Sequence, residues 1–543
     1  MRASSIRGAA PLLAALAALT RPPMMPAQEH GHQHQVGQLG RVVFPVSCNR
    51  AAQKRFEHAM AVLHSFWWEE GDRAFGEVLT ADSTCAMAYW GMALNAWGNP
   101  FVGGPTGSAL AKGVDAAARA SALPARTARE RGFISATAAL YRDAESTANS
   151  ARLRAYADTM TRLYRDFPED VEVAIYYALS QVATAPRTDT TFAQQKRAIA
   201  ILEPLFARHP NHPGLAHYVI HATDTPRLAR LGLNAARRYA RIAPAAPHAQ
   251  HMPSHIFVRL GLWNETIASN WKSYQAGYDY AQAMGIPGTM EEFHAMDYAV
   301  YGYLQRGQDS AARAAVTKAM RAKPSLKGLI SDYNRTAMAA RVPLERDDWA
   351  AAAELRTPAE SLGPVATALF RFTRALGSAR SGQANAATAE VKALDSIATA
   401  LERKGEPYWS RVVRIKHDAA DAWVHLASGD TTRALSLARA AADSEEVTDK
   451  HQVTPGELLP ARELEGDMLL ITGQYREAGA SYRATLARER NRARSMFGLA
   501  RSAELAGDRG GARDDYREFL RLMAKADGDR PEIATAKAFL GRR

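Results

Sequence analysis

The 543-residue sequence predicts an all-α protein, and three features support this fold class. Alanine-rich segments of helical length alternate with short breaks, such as the one at Ser428, Gly429 and Asp430. No segment shows the sustained alternation of β-branched and polar residues that strands favour. The breaks also recur at regular intervals, which predicts an array of helical repeats rather than one compact bundle.

Composition excludes several classes of protein. Apolar residues make up 47% of the chain and charged residues 23%, so the chain can bury a core and is not disordered as a whole. Two cysteines are too few for a disulfide framework or a thiolate zinc finger. The net charge of +12 comes from scattered basic residues without a dense stripe, and we therefore expect no nucleic-acid partner.

Residues 1–27 have the pattern of a secretory signal peptide. Arg2 and Arg7 precede a short apolar stretch, Ala9–Leu19, which is followed by small residues and prolines. This stretch is too short to cross a bilayer, although a buried or membrane-surface helix is the alternative. We therefore expect a periplasmic or secreted protein that has no membrane span.

The segment after the signal peptide, residues 28–47, is polar at its start and is predicted to be a disordered leader. Cys48 and Cys85 follow, on either side of one predicted helical pair. In an oxidising compartment we expect them to form a disulfide rather than remain as two free thiols.

The repeat is clearest near the C-terminus, where a glycine, an alanine and an aromatic residue recur after 34 residues. The pairs are Gly473 and Gly507, Ala478 and Ala512, and Tyr482 and Tyr516. This pattern resembles the tetratricopeptide repeat (TPR), a helix–turn–helix unit of about 34 residues. In such a unit the glycine ends the first helix, the alanine lets the second helix pack closely, and the aromatic ring fills the space between them.

The resemblance extends over most of residues 50–525 and implies a TPR-like superhelix, an α-solenoid with a concave groove. An unrelated helical array is the alternative. The chain then divides into N-terminal helical repeats (48–200), His-rich central repeats (201–310), degenerate repeats (311–455), and a C-terminal TPR pair with a tail (456–543).

The central repeats carry six histidines and two aspartates at helical spacing. They are His217, His221 and Asp224, then His248, His251 and His255, then His294 and Asp297. In the TPR register they fall at positions that line the groove in this family. Neutral imidazoles are common metal ligands, and this set suits zinc, copper or iron better than magnesium or calcium.

Alternatives to a metal site remain open at this point. The groove residues also suit a metal-free site for a polar ligand, or a structural hydrogen-bond network. Asp224 and Asp297 are either ligands or groups that orient imidazoles. Pro253 interrupts the predicted helix that carries His248 to His255, so the register there is approximate.

Known metal motifs match only in part. Tyr218 stands where the metalloprotease motif has its glutamate, which disfavours that class. Glu291 and His294 have the Glu-x-x-His spacing of di-iron bundles, but the spacing occurs once. Six helix-borne histidines also equal the ligand number of coupled dicopper sites, which is an analogy and not a motif.

Four further residues are candidate ligand-binding groups. They are Tyr301, Arg259, Trp90 and His64. The alternatives are a core role for Trp90 and a solvated surface for Arg259, and we interpret His209 and His212 as surface residues.

The sequence thus resembles a secreted bacterial TPR protein with a His-rich groove, and two functions follow from it. The first is an exported binding or scaffold protein that holds a protein, peptide or small molecule in the groove beside a metal-binding His/Asp site. The second is a metal-dependent enzyme, either a hydrolase or a copper or iron oxidoreductase. The sequence alone leaves open whether the protein is an enzyme.

Overall fold

The computed structural model describes residues 37–321, 328–356 and 362–542. The predicted signal peptide and the first part of the predicted leader, residues 28–36, lie outside these residues.

The regular structure of the described residues is α-helical throughout, which confirms the predicted fold class. The N-terminal third contains α1 (Arg50–His64), α2 (Trp68–Ala81), α3 (Ala86–Trp97), α4 (Gly107–Ala122), α5 (Ala128–Tyr141), α6 (Asn149–Asp166), α7 (Val171–Ala183) and α8 (Ala193–Arg208). The middle contains α9 (Pro213–Thr223), α10 (Leu233–Ile242), α11 (Pro247–His251), α12 (Pro253–Arg259), α13 (Trp263–Met284), α14 (Glu291–Gln305), α15 (Asp309–Arg321), α16 (Leu329–Leu344) and α17 (Trp349–Ala353). The C-terminal part contains α18 (Pro364–Arg380), α19 (Ala384–Arg403), α20 (Pro407–Ala427), α21 (Thr431–Glu446), α22 (Ala461–Ile471), α23 (Tyr475–Arg488), α24 (Ala493–Leu505), α25 (Arg509–Leu522) and α26 (Pro531–Gly541).

Helices that follow each other in the chain pack together, and alternate helices also touch, as α18, α20, α22 and α24 do in succession. This is the packing of stacked helix–turn–helix units, in which each unit buries its apolar face against its neighbours. In the C-terminal pair, Ala478 and Ala512 are fully buried. A Cβ on Gly498 would lie 2.4 Å from the Tyr482 ring, so the glycine lets that ring pack against α24.

Residues 37–47 do not form the disordered leader that the sequence predicts for 28–47. Leu39, Val42 and Phe44 are buried in the core, and the Phe44 ring contacts the ring of Phe56. The backbone N–H of Arg41 also donates to a carbonyl of the central repeats. The prediction is wrong for this part of the segment. Burial of its three apolar side chains in the core stabilises an ordered conformation, although most of the surrounding residues are polar.

Cys48, just before α1, forms a disulfide with Cys85, which precedes α3. The bond joins the packed first segment to the second helical unit. None of the described helices is long and apolar enough to cross a membrane.

Four contacts between helices bring the histidine-bearing elements together. α9 packs against α1 and α12, while α11 packs against α13 and α14. Residues 447–460, between α21 and α22, form an irregular segment that we call the 447–460 loop. This loop reaches back to the central helices, where Tyr298 donates to the carbonyls of Gln452 and Thr454.

Candidate metal centre

The six predicted histidines lie in two adjacent groups of three. Histidine trio 1 is His217, His221 and His248, and histidine trio 2 is His251, His255 and His294. Within each trio, the candidate ligand nitrogens lie within 4.8 Å of one another, and all six side chains are buried. The two trios touch, since the rings of His221 and His255 have centroids 6.5 Å apart.

The local backbone explains how α11 and α12 share trio 2. Met252, between the two helices, keeps right-handed helical angles of φ −52° and ψ −35°. Pro253 is then the first residue of α12, where its missing N–H costs little. His251 and His255 therefore stay one turn apart on one face, in spite of the proline.

Hydrogen bonds fix the proton positions in trio 2. His251 Nδ1 lies 2.6 Å from Asn270 Oδ1, and the Asn270 amide is oriented because its Nδ2 donates to the Thr266 carbonyl. His255 Nδ1 donates to Asp224 Oδ2 at 2.8 Å. Both rings therefore carry their proton on Nδ1 and a bare lone pair on Nε2.

These two bare nitrogens face each other. The Nε2 atoms of His251 and His255 are 3.0 Å apart, and the Tyr298 hydroxyl lies 3.4 Å from Nε2 of His255. With both protons assigned to Nδ1, neither Nε2 atom has a proton to donate to the other. Two lone pairs at that distance repel each other, whereas two nitrogens bound to one zinc or copper ion at about 2.0–2.1 Å lie roughly 3 Å apart. The pair has the spacing of two ligands of a single ion.

Trio 1 has a similar contact between two Nε2 atoms, but a hydrogen bond fixes the proton position of His217 only. His217 Nδ1 donates to the carbonyl of His64 at 2.7 Å, and its Nε2 lies 3.0 Å from His221 Nε2. His221 Nδ1 and both ring nitrogens of His248 have no hydrogen-bond partner among the described residues. The Phe66 ring covers the trio, with its centroid 4.4 Å from that of His217.

Burial keeps the six rings neutral. Desolvation is the largest cause that lowers the pKa of each histidine of both trios below the usual value. Repulsion between neighbouring rings lowers the pKa further, for example that of His294 beside His255. Neutral imidazoles are the form that binds a metal ion.

Asp224 and Asp297 lie outside both trios. Asp224 accepts from His255 and pairs with Arg259, whereas Asp297 pairs with Arg341 at 2.8 Å. Asp224 thus orients an imidazole, which is one of its two predicted roles. Arg341 pairs with Oδ1 of Asp297, while Oδ2 is buried and has no hydrogen-bond partner among the described residues, so the ligand role of Asp297 stays a prediction.

The candidate ligand-binding residues are engaged elsewhere. Arg259 pairs with Asp224 and Asp449, so it is neither solvated nor free to bind an anion. Tyr301 is buried and donates to Glu489. Trp90 does not face a groove, because it is buried in the aromatic core beside Phe44.

His64 belongs to a third buried cluster with Glu172 and His212. His64 Nε2 and His212 Nε2 lie 3.0 and 2.9 Å from the two carboxylate oxygens of Glu172. Tyr218 and the backbone N–H of Leu215 satisfy the remaining ring nitrogens. This cluster is complete as a hydrogen-bond network, and the surface position assigned to His212 is wrong because the residue caps α9 from the interior.

Several site residues had no signal in the sequence. Asn270, Phe66 and Lys450 carry no motif. Asn270 reaches the centre from the next helix, α13, whereas Phe66 and Lys450 reach it from segments that are distant in the chain. Lys450 comes from the 447–460 loop, and its Nζ lies 3.9 Å from Asp224 Oδ2. A cavity of about 200 Å³ adjoins His221 and is partly lined by this loop.

Comparison with known proteins does not identify a family. No protein-family model matches the chain, and no curated protein matches it significantly. Among solved structures, a monomeric mutant of IFIT1 with Gppp-AAAA has a TM-score of 0.34 at 11% identity, covering 76% of this chain and 85% of that chain. A second IFIT1 mutant, with m7Gppp-AAAA, has a TM-score of 0.32 at 11% identity over the same shares. The TM-scores are too low to carry an argument about function.

Proposed function

We propose that this protein is an exported TPR-type metalloprotein whose two histidine trios bind a pair of transition-metal ions. We further propose that the ions are copper and that the protein is an oxidoreductase. The observation that carries the proposal is the facing pair of Nε2 atoms on His251 and His255, 3.0 Å apart, on two rings whose Nδ1 atoms face the acceptors Asn270 and Asp224.

The hydrogen bonds around the trios support a metal site further. Metal-binding histidines almost always donate their second ring nitrogen to a carbonyl or carboxylate. His217, His251 and His255 do so, to the acceptors His64 on α1, Asn270 on α13 and Asp224 just after α9. In the third cluster, by contrast, both ring nitrogens of His64 have a hydrogen-bond partner: Nε2 lies against the Glu172 carboxylate, which accepts, and Nδ1 lies against the Tyr218 hydroxyl.

Charge and ligand type favour copper. All six candidate ligands are neutral imidazoles, which suit copper, zinc, iron and nickel, and copper(II) binds most tightly in the divalent series. Arginines already neutralise Asp224 and Asp297, so these carboxylates do not compensate the charge of bound ions. Two monovalent ions bring half the charge of two divalent ions into the buried site and therefore cost less to bury. Bound as Cu(I), copper would bring the smaller charge, and the six histidines would hold an ion that supplies one-electron redox chemistry.

The cavity beside His221 supports an enzyme over a passive store of metal. Three-histidine coordination leaves a position open for a small molecule, and the cavity gives such a molecule room next to trio 1. A scaffold that binds metal without turnover is the second candidate, and the repeat architecture favours it.

Redox cycling of copper tests the proposal. The untagged full-length mature protein is loaded with Cu(I) without oxygen, exposed to air and then treated with ascorbate, while copper(II) EPR and dioxygen uptake are followed. We expect bound copper to be oxidised and reduced repeatedly with uptake of dioxygen. Copper that binds but does not cycle would support the scaffold, and failure to bind copper, zinc or iron would refute the metal site.

His251→Ala with His255→Ala is the informative variant for this test. His209→Ala is the matched control, because His209 is exposed and lies outside both trios. We expect cycling to be lost in the first variant and unchanged in the control.

A further inference from the structure

A small apolar pocket shares the Phe66 ring with trio 1, and we call it the Phe66 pocket. Its volume is about 40 Å³, and the surface that lines it is almost entirely apolar. Phe66 and Leu179 are buried at its inner end, whereas Leu94 and Leu153 are only part-buried and leave the other end open. The pocket therefore leads from the protein surface to the aromatic ring that covers trio 1.

The size and polarity of the Phe66 pocket limit what can occupy it. One water molecule needs about 10–15 Å³ and a dry cavity of about 150 Å³ binds benzene, so a space of about 40 Å³ admits a molecule of only a few heavy atoms. Water also needs polar partners. Two polar groups of the lining are already engaged, because Ser180 Oγ donates to the Tyr177 carbonyl and the Tyr218 hydroxyl lies 3.1 Å from His64 Nδ1. The occupant that fits is a very small apolar molecule.

Phe66 links this pocket to trio 1. Its ring centroid lies 4.4 Å from that of His217 and 5.7 Å from those of His221 and His248. Its backbone φ of 51° lies in the left-handed region, which a bulky residue rarely adopts. Strain of this kind is concentrated at ligand sites and switch regions, where the surrounding packing imposes it. A molecule in the pocket would be separated from all three candidate ligands by this one ring.

The polar cavity beside His221 adjoins the Phe66 pocket, since Pro100 and Ala183 line both. Three aspartates line the polar cavity, whereas no charged side chain of the described residues lines the Phe66 pocket. The polar cavity suits water and polar molecules, and the Phe66 pocket suits apolar ones. Two neighbouring spaces of opposite character thus lie beside trio 1.

We propose that the Phe66 pocket holds dioxygen before it reaches trio 1. Dioxygen is apolar and diatomic, so it matches the pocket in chemistry and in size. Rotation of the strained Phe66 side chain would then open the way to the metal ion. This inference rests on the proposed function, because dioxygen is the oxidant of the copper oxidoreductase proposed above.

Xenon is the probe for the pocket, because it is apolar, unreactive and binds in dry apolar cavities. In crystals of the full-length mature protein under xenon pressure, we expect a xenon atom between Phe66 and Leu153. Xenon binding needs no copper, so this measurement does not depend on the proposed function. Crystals in which xenon binds only elsewhere, or not at all, would overturn the inference.

A variant that fills the pocket tests its role. Leu153→Trp on α6 should exclude xenon and slow the reoxidation of the Cu(I)-loaded protein by dioxygen by about tenfold or more, because the way through the pocket is then closed. Copper content should stay unchanged, since Leu153 lies outside both trios. Arg154→Trp is the matched control, because Arg154 is exposed on the same helix, and it should be reoxidised as fast as the parent.

Equal reoxidation rates in a folded Leu153→Trp variant and the parent would overturn the inference. If this variant does not fold, the xenon measurement on the parent still decides whether the pocket takes an apolar molecule. Copper content separates this failure from a failure of the proposed function, which would appear as a parent protein that binds xenon in the pocket but takes up no copper.

Discussion

At the scale of single residues, the centre depends on which ring nitrogen of each histidine carries the proton. Asn270 and Asp224 hold the protons of His251 and His255 on Nδ1, and so direct both Nε2 lone pairs at one point. In the proposed metal site, two residues outside the trios therefore set the proton positions of two candidate ligands. The histidines were visible in the sequence because of their helical spacing, whereas Asn270 lies on another helix and has no distinguishing pattern.

Loss of the Asn270 acceptor should weaken metal binding. In Asn270→Ala the His251 ring loses the hydrogen bond that orients it, and we expect metal affinity to fall by roughly 10- to 100-fold. Competition with a chromophoric chelator measures this change. Asn270→Asp should recover most of the affinity, because a carboxylate also accepts from Nδ1.

Gln275→Ala is the matched control, since Gln275 is exposed on the same helix. If Asn270→Ala and Gln275→Ala have the same metal affinity, Asn270 does not orient a ligand.

The metal-free protein should lose stability as the pH falls below about 6.5. Burial lowers the pKa of all six histidines in the folded state, so they stay neutral there, while in the unfolded chain they take up protons near pH 6.5. The unfolded state then binds more protons than the folded state. The free energy of unfolding therefore has its maximum above about pH 6.5 and decreases as the pH falls further. Each fully neutral histidine contributes about 1.4 kcal/mol per pH unit.

Chemical denaturation of the metal-free protein between pH 7.5 and 5 measures this slope. The His251→Gln, His255→Gln variant should show a shallower slope, because glutamine does not titrate. A parent whose stability is constant over this range would contradict neutral, buried histidines.

At the scale of elements, helical spacing predicted which histidines share a helix face but not which share a site. His248, His251 and His255 looked like one set in the sequence. The structure divides them, because His248 joins the histidines of α9 while His251 and His255 join His294 of α14. Only the crossing of α9, α11, α12 and α14 decides this grouping, and one sequence does not reveal it.

The repeat signature gives an element-scale test. Gly498→Ala should destabilise the protein by about 1–3 kcal/mol, because the new methyl group would overlap the Tyr482 ring in the repeat core. Gly76→Ala is the matched control, since no atom lies within 4 Å of its added Cβ and alanine favours the helix by about 0.8–1 kcal/mol. Thermal unfolding of both variants measures the difference. Equal effects would mean that the close approach of Tyr482 does not constrain the repeat.

At the scale of the whole molecule, repeat periodicity predicted the all-α class and the C-terminal helix pair. It did not predict contacts between distant parts of the chain. The 447–460 loop brings Lys450 to the central repeats, and Phe66 reaches trio 1 from the segment between α1 and α2. The packing of residues 37–47 was not predictable from the repeats either, because their few apolar side chains contact partners that are distant in the chain.

The most direct test of the central claim is the metal content of the mature full-length protein, purified without a His tag or chelator and measured by mass spectrometry. We expect about two equivalents of copper per chain, one for each trio. The His251→Ala, His255→Ala variant should retain about one equivalent, and so should His217→Ala with His221→Ala. A parent that contains no metal and takes up neither copper, zinc nor iron would contradict a paired tri-histidine centre.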